Sequence, residues 1–352
     1  MNYDSELNDL VLTLVKEGGS DIHFTVGTFP TLRINGELIP LTRKQELTAQ
    51  DTVGFLRAMV GEKPFTDFVV KQELDFSYEH GKEYRLRGNA SFQRGVVSIA
   101  LRLVPKARSI QELNLPEQLV EFSRRKQGFF LVVGPVGQGK STTIAAMISL
   151  INQESKRHIV TIEDPIEFRF EQDKSLIEQR EVGIDTKDFA TALRHAFRQD
   201  MDVIMIGEMR DKETISAAVT AAETGHLVLS TLHTNSAAQT VDRIIDSFPG
   251  DQQGQIRAQL ASSLIGIFSQ RLIPRVSGGM IPAYELLINT PAVANLIREG
   301  RTQEIDVLIE TGTNEGMIDL DRYLAELVRR GDVLKDVAHQ YAHKQTIFER
   351  LI

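Results

Sequence analysis

The run Phe129-Phe130-Leu131-Val132-Val133-Gly134-Pro135-Val136-Gly137-Gln138-Gly139-Lys140-Ser141-Thr142 decides how this chain is read. Its first five residues form a short apolar strand, and the next eight fit G-x-x-x-x-G-K-[ST]. Each residue type in that pattern has a physical reason. Glycines let the backbone wrap a phosphate with its N–H groups turned inward, and a helix starting near Lys140 adds the partial positive charge of its N-terminus. The lysine of such a loop, here Lys140, reaches the β- and γ-phosphates, and the hydroxyl, here Ser141, ligates magnesium. A strand before the loop and an apolar helix over residues 142–151 supply the context that a chance match lacks. The loop therefore points to a nucleoside-triphosphate site.

Working outward, strands at 158–162, 203–206 and 227–232 are continuous apolar runs, with helices at 189–197 and 212–224 between them. This alternation predicts a parallel sheet covered by helices on both faces. Upstream, residues 20–105 read as α+β, with strands at 21–26, 31–34, 74–78, 84–92 and 96–104 and a helix at 49–60. A first helix carries Leu7, Leu10, Val11, Leu14 and Val15 at helical spacing. Residues 105–118 hold two prolines and no strong periodicity, and read as a linker. Beyond about Tyr284 the pattern is helical, at 292–299, 304–310, 320–329 and from 334. The expected organisation is a small α+β domain over 1–104, a linker over 105–118, an α/β domain over 119–284 and a helical subdomain over 285–352.

The composition narrows the function classes. With 40 Lys+Arg against 48 Asp+Glu the formal charge is −8, and the chain has no tryptophan. Both count against a protein whose main work is gripping nucleic acid, although RecA-like motors as a class do translocate it. The absence of cysteine excludes disulfides, Cys-ligated zinc, iron–sulfur clusters and thiol catalysis. The N-terminus begins with acids and lacks a basic n-region, so it does not read as a signal peptide. No stretch approaches 18 apolar residues, so no membrane span is expected and the cytoplasm is the default location.

A phosphate loop needs a carboxylate at a neighbouring strand end to hold metal or polarise water. Two strand ends supply one. The strand at 158–162 runs into Glu163, and the strand at 203–206 runs into Gly207-Glu208. In open α/β sheets ligands bind at these carboxyl ends. Taken one at a time, such acids also serve simply as caps for the following loops. Gly207 stands where many enzymes of this kind carry aspartate, which leaves the metal shell to water and Glu208. His226 and His233 bracket the strand at 227–232. They are seven residues apart and point to opposite faces, so joint metal ligation is not expected. Spacing leaves two readings for them, a sensor of nucleotide state or a satisfied polar group at a strand end.

In order, GPVGQGKST (134–142), IEDPIEF (162–168), GEMRD (207–211) and TGHLVLSTLHTNSA (224–237) resemble the secretion-ATPase superfamily of type II secretion and type IV pili, with its Walker A loop, Asp box, Walker B segment and His box. The N-terminal SDIHFTVGTFPTLRINGEL (20–38) resembles the start of that family's PAS-like domain, and Arg85–Gly95 its later strands. Ala292-Val293-Ala294-Asn295-Leu296-Ile297-Arg298-Glu299 resembles the AIRNLIRE motif of the pilus-retraction (PilT-like) branch. The missing four-cysteine zinc element and the start directly at the domain preceding the motor favour that branch. The chain departs from the pattern at Val136 and Gln138 in the loop, at Met201, where proline is usual, and at Ala294, where arginine is usual.

The resemblance implies a RecA-like motor between a PAS-like domain and C-terminal helices, working as a homo-hexamer that hydrolyses ATP with Mg2+. It implies that Gly134, Pro135, Val136, Gly137, Gln138, Gly139, Lys140, Ser141 and Thr142 cradle ATP, and that Glu163 activates water. Ser141 would bind magnesium, and Glu208 would orient its water shell. His226 and His233 take the His-box positions. Arg87, Arg94 and Arg102 of the N-terminal domain would be charge stabilisers acting between subunits, with Arg271 a further candidate; on a sheet face such arginines are also ordinary solvated residues. The implied partners are an inner-membrane pilus platform protein (PilC-like) and a second retraction ATPase, at the inner face of the cytoplasmic membrane, with no nucleic acid. The implied function is pilus retraction, and the alternatives within the superfamily are an accessory PilU-like retraction ATPase or an assembly or type II secretion ATPase.

Overall fold

The computed structural model describes residues 2–81 and 83–352, which form two compact units, 1–105 and 106–352. In the first, helix α1 (Tyr3–Lys16) is followed by strands β1 (Gly19–Phe24), β2 (Thr31–Ile34) and β3 (Glu37–Pro40), helices α2 (Ala49–Val60) and α3 (Glu62–Lys71), and strands β4 (Glu73–His80), β5 (Tyr84–Gln93) and β6 (Val96–Leu103). The strands form one antiparallel sheet in the order β3-β2-β1-β6-β5-β4. Leu7, Leu10, Val11 and Leu14 of α1 lock onto Ile22, Phe24, Leu86, Ile99 and Leu101 of the sheet, the face that the helical spacing assigned to the core. Two elements escaped the sequence reading. All four residues of β3 are exposed, so it has no apolar alternation, and α3 buries only Phe65 and Phe68.

The opposite face of that sheet is polar. Pairing registers place Arg33, Asp21, Arg102, Arg87 and Ser77 in one row across five strands. Asp21 is buried and accepts a 2.8 Å hydrogen bond from Arg102 Nε. Arg94 lies in the β5–β6 turn with φ +52° and is exposed.

The second unit is a seven-stranded sheet in the order β13-β12-β7-β11-β10-β8-β9. Its strands are β7 (Gly128–Val133), β8 (His158–Glu163), β9 (Leu176–Glu181), β10 (Val203–Ile206), β11 (Leu227–Leu232), β12 (Leu264–Pro274) and β13 (Met280–Ile288). All neighbours are parallel except β12 and β13, an antiparallel hairpin at one edge. All six residues of β7 are buried, and they alternate between two cores. Phe129, Leu131 and Val133 enter the layer under helices α6 (Phe189–Ala196), α7 (Lys212–Glu223), α8 (Ala237–Asp246) and α9 (Gly250–Ser263). Phe130 and Val132 enter the layer under α4 (Gln118–Arg124) and α5 (Lys140–Glu154). This two-sided covering is why the strands read as unbroken apolar runs.

Two expected boundaries shift. Of residues 105–118, read as a linker, those from Lys106 onward belong to the second unit: Ile110 and Leu115 are buried in the α5-side core, and Ser109 and Glu112 cap a turn reciprocally. The limit at 284 falls inside β13, which runs on to Ile288 because Leu286 and Leu287 are core residues. The chain then continues through helices α10 (Pro291–Glu299), α11 (Ile305–Thr311), α12 (Leu320–Arg329), α13 (Lys335–Tyr341) and α14 (Gln345–Leu351). Leu320, Leu324, Leu327 and Phe348 close a small core over the β12–β13 hairpin. Among the described residues, no helix is long and apolar enough to cross a membrane.

Candidate active site

The phosphate loop connects the carboxyl end of β7 to α5. Gly134 has φ +149°, and a Cβ placed there would stand 2.4 Å from the carbonyl of Gln270, so only glycine fits. Gly139 is the N-cap of α5, and neither a capping side chain nor an acid occupies the first turn. The first N–H groups of α5 are therefore left to a ligand, and the helix end favours an anion. Ser141 and Thr142 stand half-buried in that turn.

Lys140 is 7% exposed. Its Nζ donates to the carbonyls of Gly134 (2.9 Å) and Pro135 (2.8 Å) and lies 3.3 Å from His233 Nδ1. Burial, reinforced by Arg271, lowers its pKa to about 8. Burial and the Lys140 charge likewise hold the His233 pKa below the ordinary imidazole value. The other ring nitrogen of His233 lies 3.8 Å from Glu208, whose second oxygen pairs with Arg210 at 2.6 Å. Lysine, histidine and carboxylate thus converge from three adjacent strand ends, because β7, β11 and β10 are neighbours in parallel register. Next to them, Gly207 is tight against β8: a Cβ there would lie 3.3 Å from the Ile162 carbonyl and 3.4 Å from Glu163 Cα. That crowding accounts for glycine where an acid might stand, and leaves Glu208 as the carboxylate.

Glu163, at the end of β8, is 3% exposed. It accepts from Thr161 Oγ1 (2.7 Å), Gln179 Nε2 (3.2 Å) and the Glu167 N–H (3.2 Å), and burial raises its pKa. Arg271 of β12 is anchored to the carbonyls of Gln270 and Asn235, and burial lowers its pKa. Glu285 of β13 is 4% exposed and accepts the Ala237 N–H at 2.8 Å, capping α8; burial pushes its pKa up to about 7.

The structure thus gathers Gly134–Thr142, Glu208, His233 and Arg271, with Glu163 on the adjoining strand end. It does not bring His226 to them. The His226 carbonyl accepts the Gly128 N–H, so it sits where β7 begins, while the loop follows the end of β7. The six-residue β11 separates the two histidines by about 20 Å. The His226 ring packs edge-on to Phe197, with Nδ1 3.0 Å from the Ala221 carbonyl. Its placement is away from the phosphate loop, at the other end of β11. Arg87, Arg94 and Arg102 belong to the first unit.

Sequence reasoning missed three contributors. Gln270 and Thr143 join each other beneath the loop at 2.6 Å. A cavity of about 350 Å³ adjoins the loop, lined by Gly139, Thr142, Arg108, Leu113, Leu272 and Met280 among others. The residues on its far side come from the stretch read as a linker and from the unrecognised β12–β13 hairpin. Glu167 completes the set; its charge raises the Lys140 pKa against the effect of burial.

The family model for type II/IV secretion system proteins matches residues 4–315. The chain belongs to this family. It is 42% identical to the Pseudomonas aeruginosa type IV pilus retraction ATPase PilT, covering 96% of this chain and 98% of that one. It is 39% identical to the type IV pilus ATPase PilU of the same organism, over 96% of this chain and 88% of the relative. The crystal structure of the pilus retraction motor PilT with bound ADP superposes with a TM-score of 0.90 at 44% identity, covering 97% and 98% of the two chains. The type II/IV secretion fold, with its parallel motor sheet and C-terminal helices, is therefore the fold of this protein.

Proposed function

We propose that this protein is an ATP-hydrolysing motor that powers type IV pilus retraction from the cytoplasmic side of the inner membrane. The observation that carries the reading is the convergence of Lys140, His233 and Glu208 on a helix N-terminus with unpaired N–H groups. The near-full-length similarity to a retraction ATPase supports the pilus assignment.

ATP fits the site. The triphosphate would lie along Gly134–Gly139 and the first turn of α5, its oxygens replacing the loop carbonyls as partners of Lys140. The base would occupy the cavity between Leu113 and Leu272. Magnesium fits the donor set: among the described residues no group of three or more His, Asp or Glu could cage a metal, so an ion held by Ser141, phosphate oxygens and water is what the site can take. Bound there, Mg2+ would neutralise charge on the β- and γ-phosphates. Glu208 would orient water around it, and His233, bridging Glu208 and Lys140, would register the γ-phosphate. Glu163, with a burial-raised pKa, suits the proton acceptor from the attacking water.

Assembled as a homo-hexamer, the protein would offer Arg87, Arg94 and Arg102 of its PAS-like unit as charge stabilisers between subunits. Closure and reopening of the two units would drive a PilC-like platform protein, alongside a second retraction ATPase. Phosphate release tests the chemistry: Lys140→Ala should abolish turnover, and Glu208→Ala should keep nucleotide binding while stopping hydrolysis. Undiminished turnover in Lys140→Ala would refute the site. Deletion in the native host tests the direction, since excess non-retracting pili mean retraction and loss of pili means assembly.

A further inference from the structure

Strand β12 carries a polar triplet, Ser269-Gln270-Arg271, between apolar runs. Gln270 is only 2% exposed. Its amide Nε2 donates to the Gln138 carbonyl at 2.7 Å, and its Oε1 accepts from Thr143 Oγ1 at 2.6 Å. Two residues on, the Leu272 N–H donates to the side-chain Oε1 of Gln138 at 2.6 Å. The Gln270 carbonyl is the atom against which Gly134 is packed. One short piece of β12 therefore touches the phosphate loop at its start and its middle, and touches the first turn of α5.

The strand itself gains nothing from this amide. The side-chain amide adds nothing to the strand's own pairing, which runs along β13 as far as Pro274 and along β7 only as far as Ser269, and an apolar side chain would be buried there at less cost. What the amide adds is the curvature of the loop. Held at both Gln138 and Thr143, the loop has little freedom left to lose when a phosphate arrives, and preorganisation of that kind appears as affinity. Gln138 takes part through its side chain as well as its backbone, which gives a function to a position where the family usually has serine.

We propose that Gln270 is a positioning residue that, together with Gln138, holds the phosphate loop in its phosphate-receiving shape. The proposal rests on the reading of this site as an ATP site.

The test uses the full chain, with a fluorescent ADP analogue for binding and phosphate release for turnover. Gln270→Met keeps the volume and removes both amide bonds. The ADP dissociation constant and the KM for MgATP are expected to rise roughly tenfold, the yield of two lost hydrogen bonds, with kcat within about twofold. A merely structural role would lower the amount of active protein and hence apparent kcat, leaving KM and the dissociation constant unmoved, and that result would overturn the proposal. Should Gln270→Met not fold, Gln138→Met on the half-buried loop removes the bond from Leu272. ADP binding weakened several-fold there supports the proposal, and unchanged affinity overturns it. Wild-type protein that binds no ADP analogue at all would remove the ATP reading, and the proposal with it. Wild-type protein that binds normally, with affinity unmoved in the variants, would remove the proposal alone.

Discussion

Lys140 offers a prediction whose size follows from its surroundings. The residue is 7% exposed, and burial lowers its pKa from 10.5 to about 8. Each pKa unit corresponds to about 1.4 kcal/mol, so a charged Lys140 at neutral pH costs the ligand-free fold about 3 kcal/mol. The unfolded chain binds this proton more tightly than the native one, so native stability rises with pH between about 8 and 10.5 and the cost is fully present below that window. Between pH 7.5 and 9.5 the difference amounts to about 2 kcal/mol. In Lys140→Met this slope disappears. The hydrogen bonds lost to Gly134 and Pro135 are independent of pH and shift the variant's curve without tilting it. The assay is thermal or urea denaturation of both proteins, without nucleotide, at several pH values from 7.5 to 9.5. Titrations of groups that do not feel the Lys140 charge cancel in the difference between the two, and the wild-type His233, held below the ordinary imidazole value, is already neutral across this range. The wild type should gain on the variant by several degrees in melting temperature across that range. Parallel curves would refute the reasoning, because they would mean that the ammonium is as well solvated in the loop as in water. Saturating ADP should flatten the wild-type slope, since phosphate charge replaces the missing solvation.

Three further outcomes are expected. His233→Ala should weaken binding of the ADP analogue, and His226→Ala should not, because only His233 stands at the loop; equal effects would contradict the placement of the pair at opposite ends of β11. Ile110→Ala should destabilise the protein by about 2–4 kcal/mol, seen as a lower denaturation midpoint, because Ile110 is core and not linker. Glu285→Gln keeps an acceptor for the Ala237 N–H and removes a carboxylate whose pKa is raised to about 7. A raised carboxyl pKa stabilises below the unfolded value near 4.5 and loses that contribution as pH rises through 7. The variant should therefore gain on the wild type by an amount on the order of 3 kcal/mol between pH 5 and pH 8, read as a difference in melting temperature.

The parts of the fold legible in the sequence share one property, that burial on two sides leaves a continuous apolar signature. β7, β8, β10 and β11 were readable for that reason, and the loop glycines and Lys140 followed because phosphate chemistry restricts those residue types. The hairpin β12–β13 was missed although most of β13 is buried, because it is antiparallel, is reached through helix α9, and has its apolar run broken by Ser269-Gln270-Arg271. That interruption was the available signal. Three consecutive polar residues inside an otherwise apolar stretch make sense only if each has a fixed partner, and here the partners are Asn235, Gln138 and Thr143.

The histidine pair and the stretch at 106–118 were harder for a common reason. Sequence spacing gives the direction of a side chain along a strand, and the expected parallel sheet gives the carboxyl ends as the ligand side, but the side-chain partners that hold each histidine are set by the packing of neighbouring elements. With β7 and β11 running parallel, His233 stands on the ligand side and is separated from His226 by strand length alone. Similarly, two prolines and weak periodicity describe a segment without regular structure, which is not the same as a segment without contacts. Ile110 and Leu115 anchor that segment to the α5-side core, and Arg108 and Leu113 then line the cavity beside the loop. An irregular stretch pinned to the α5-side core and reaching the cavity beside the phosphate loop can respond to what that cavity holds. Substitutions that loosen Ile110 should therefore disturb nucleotide binding as well as stability.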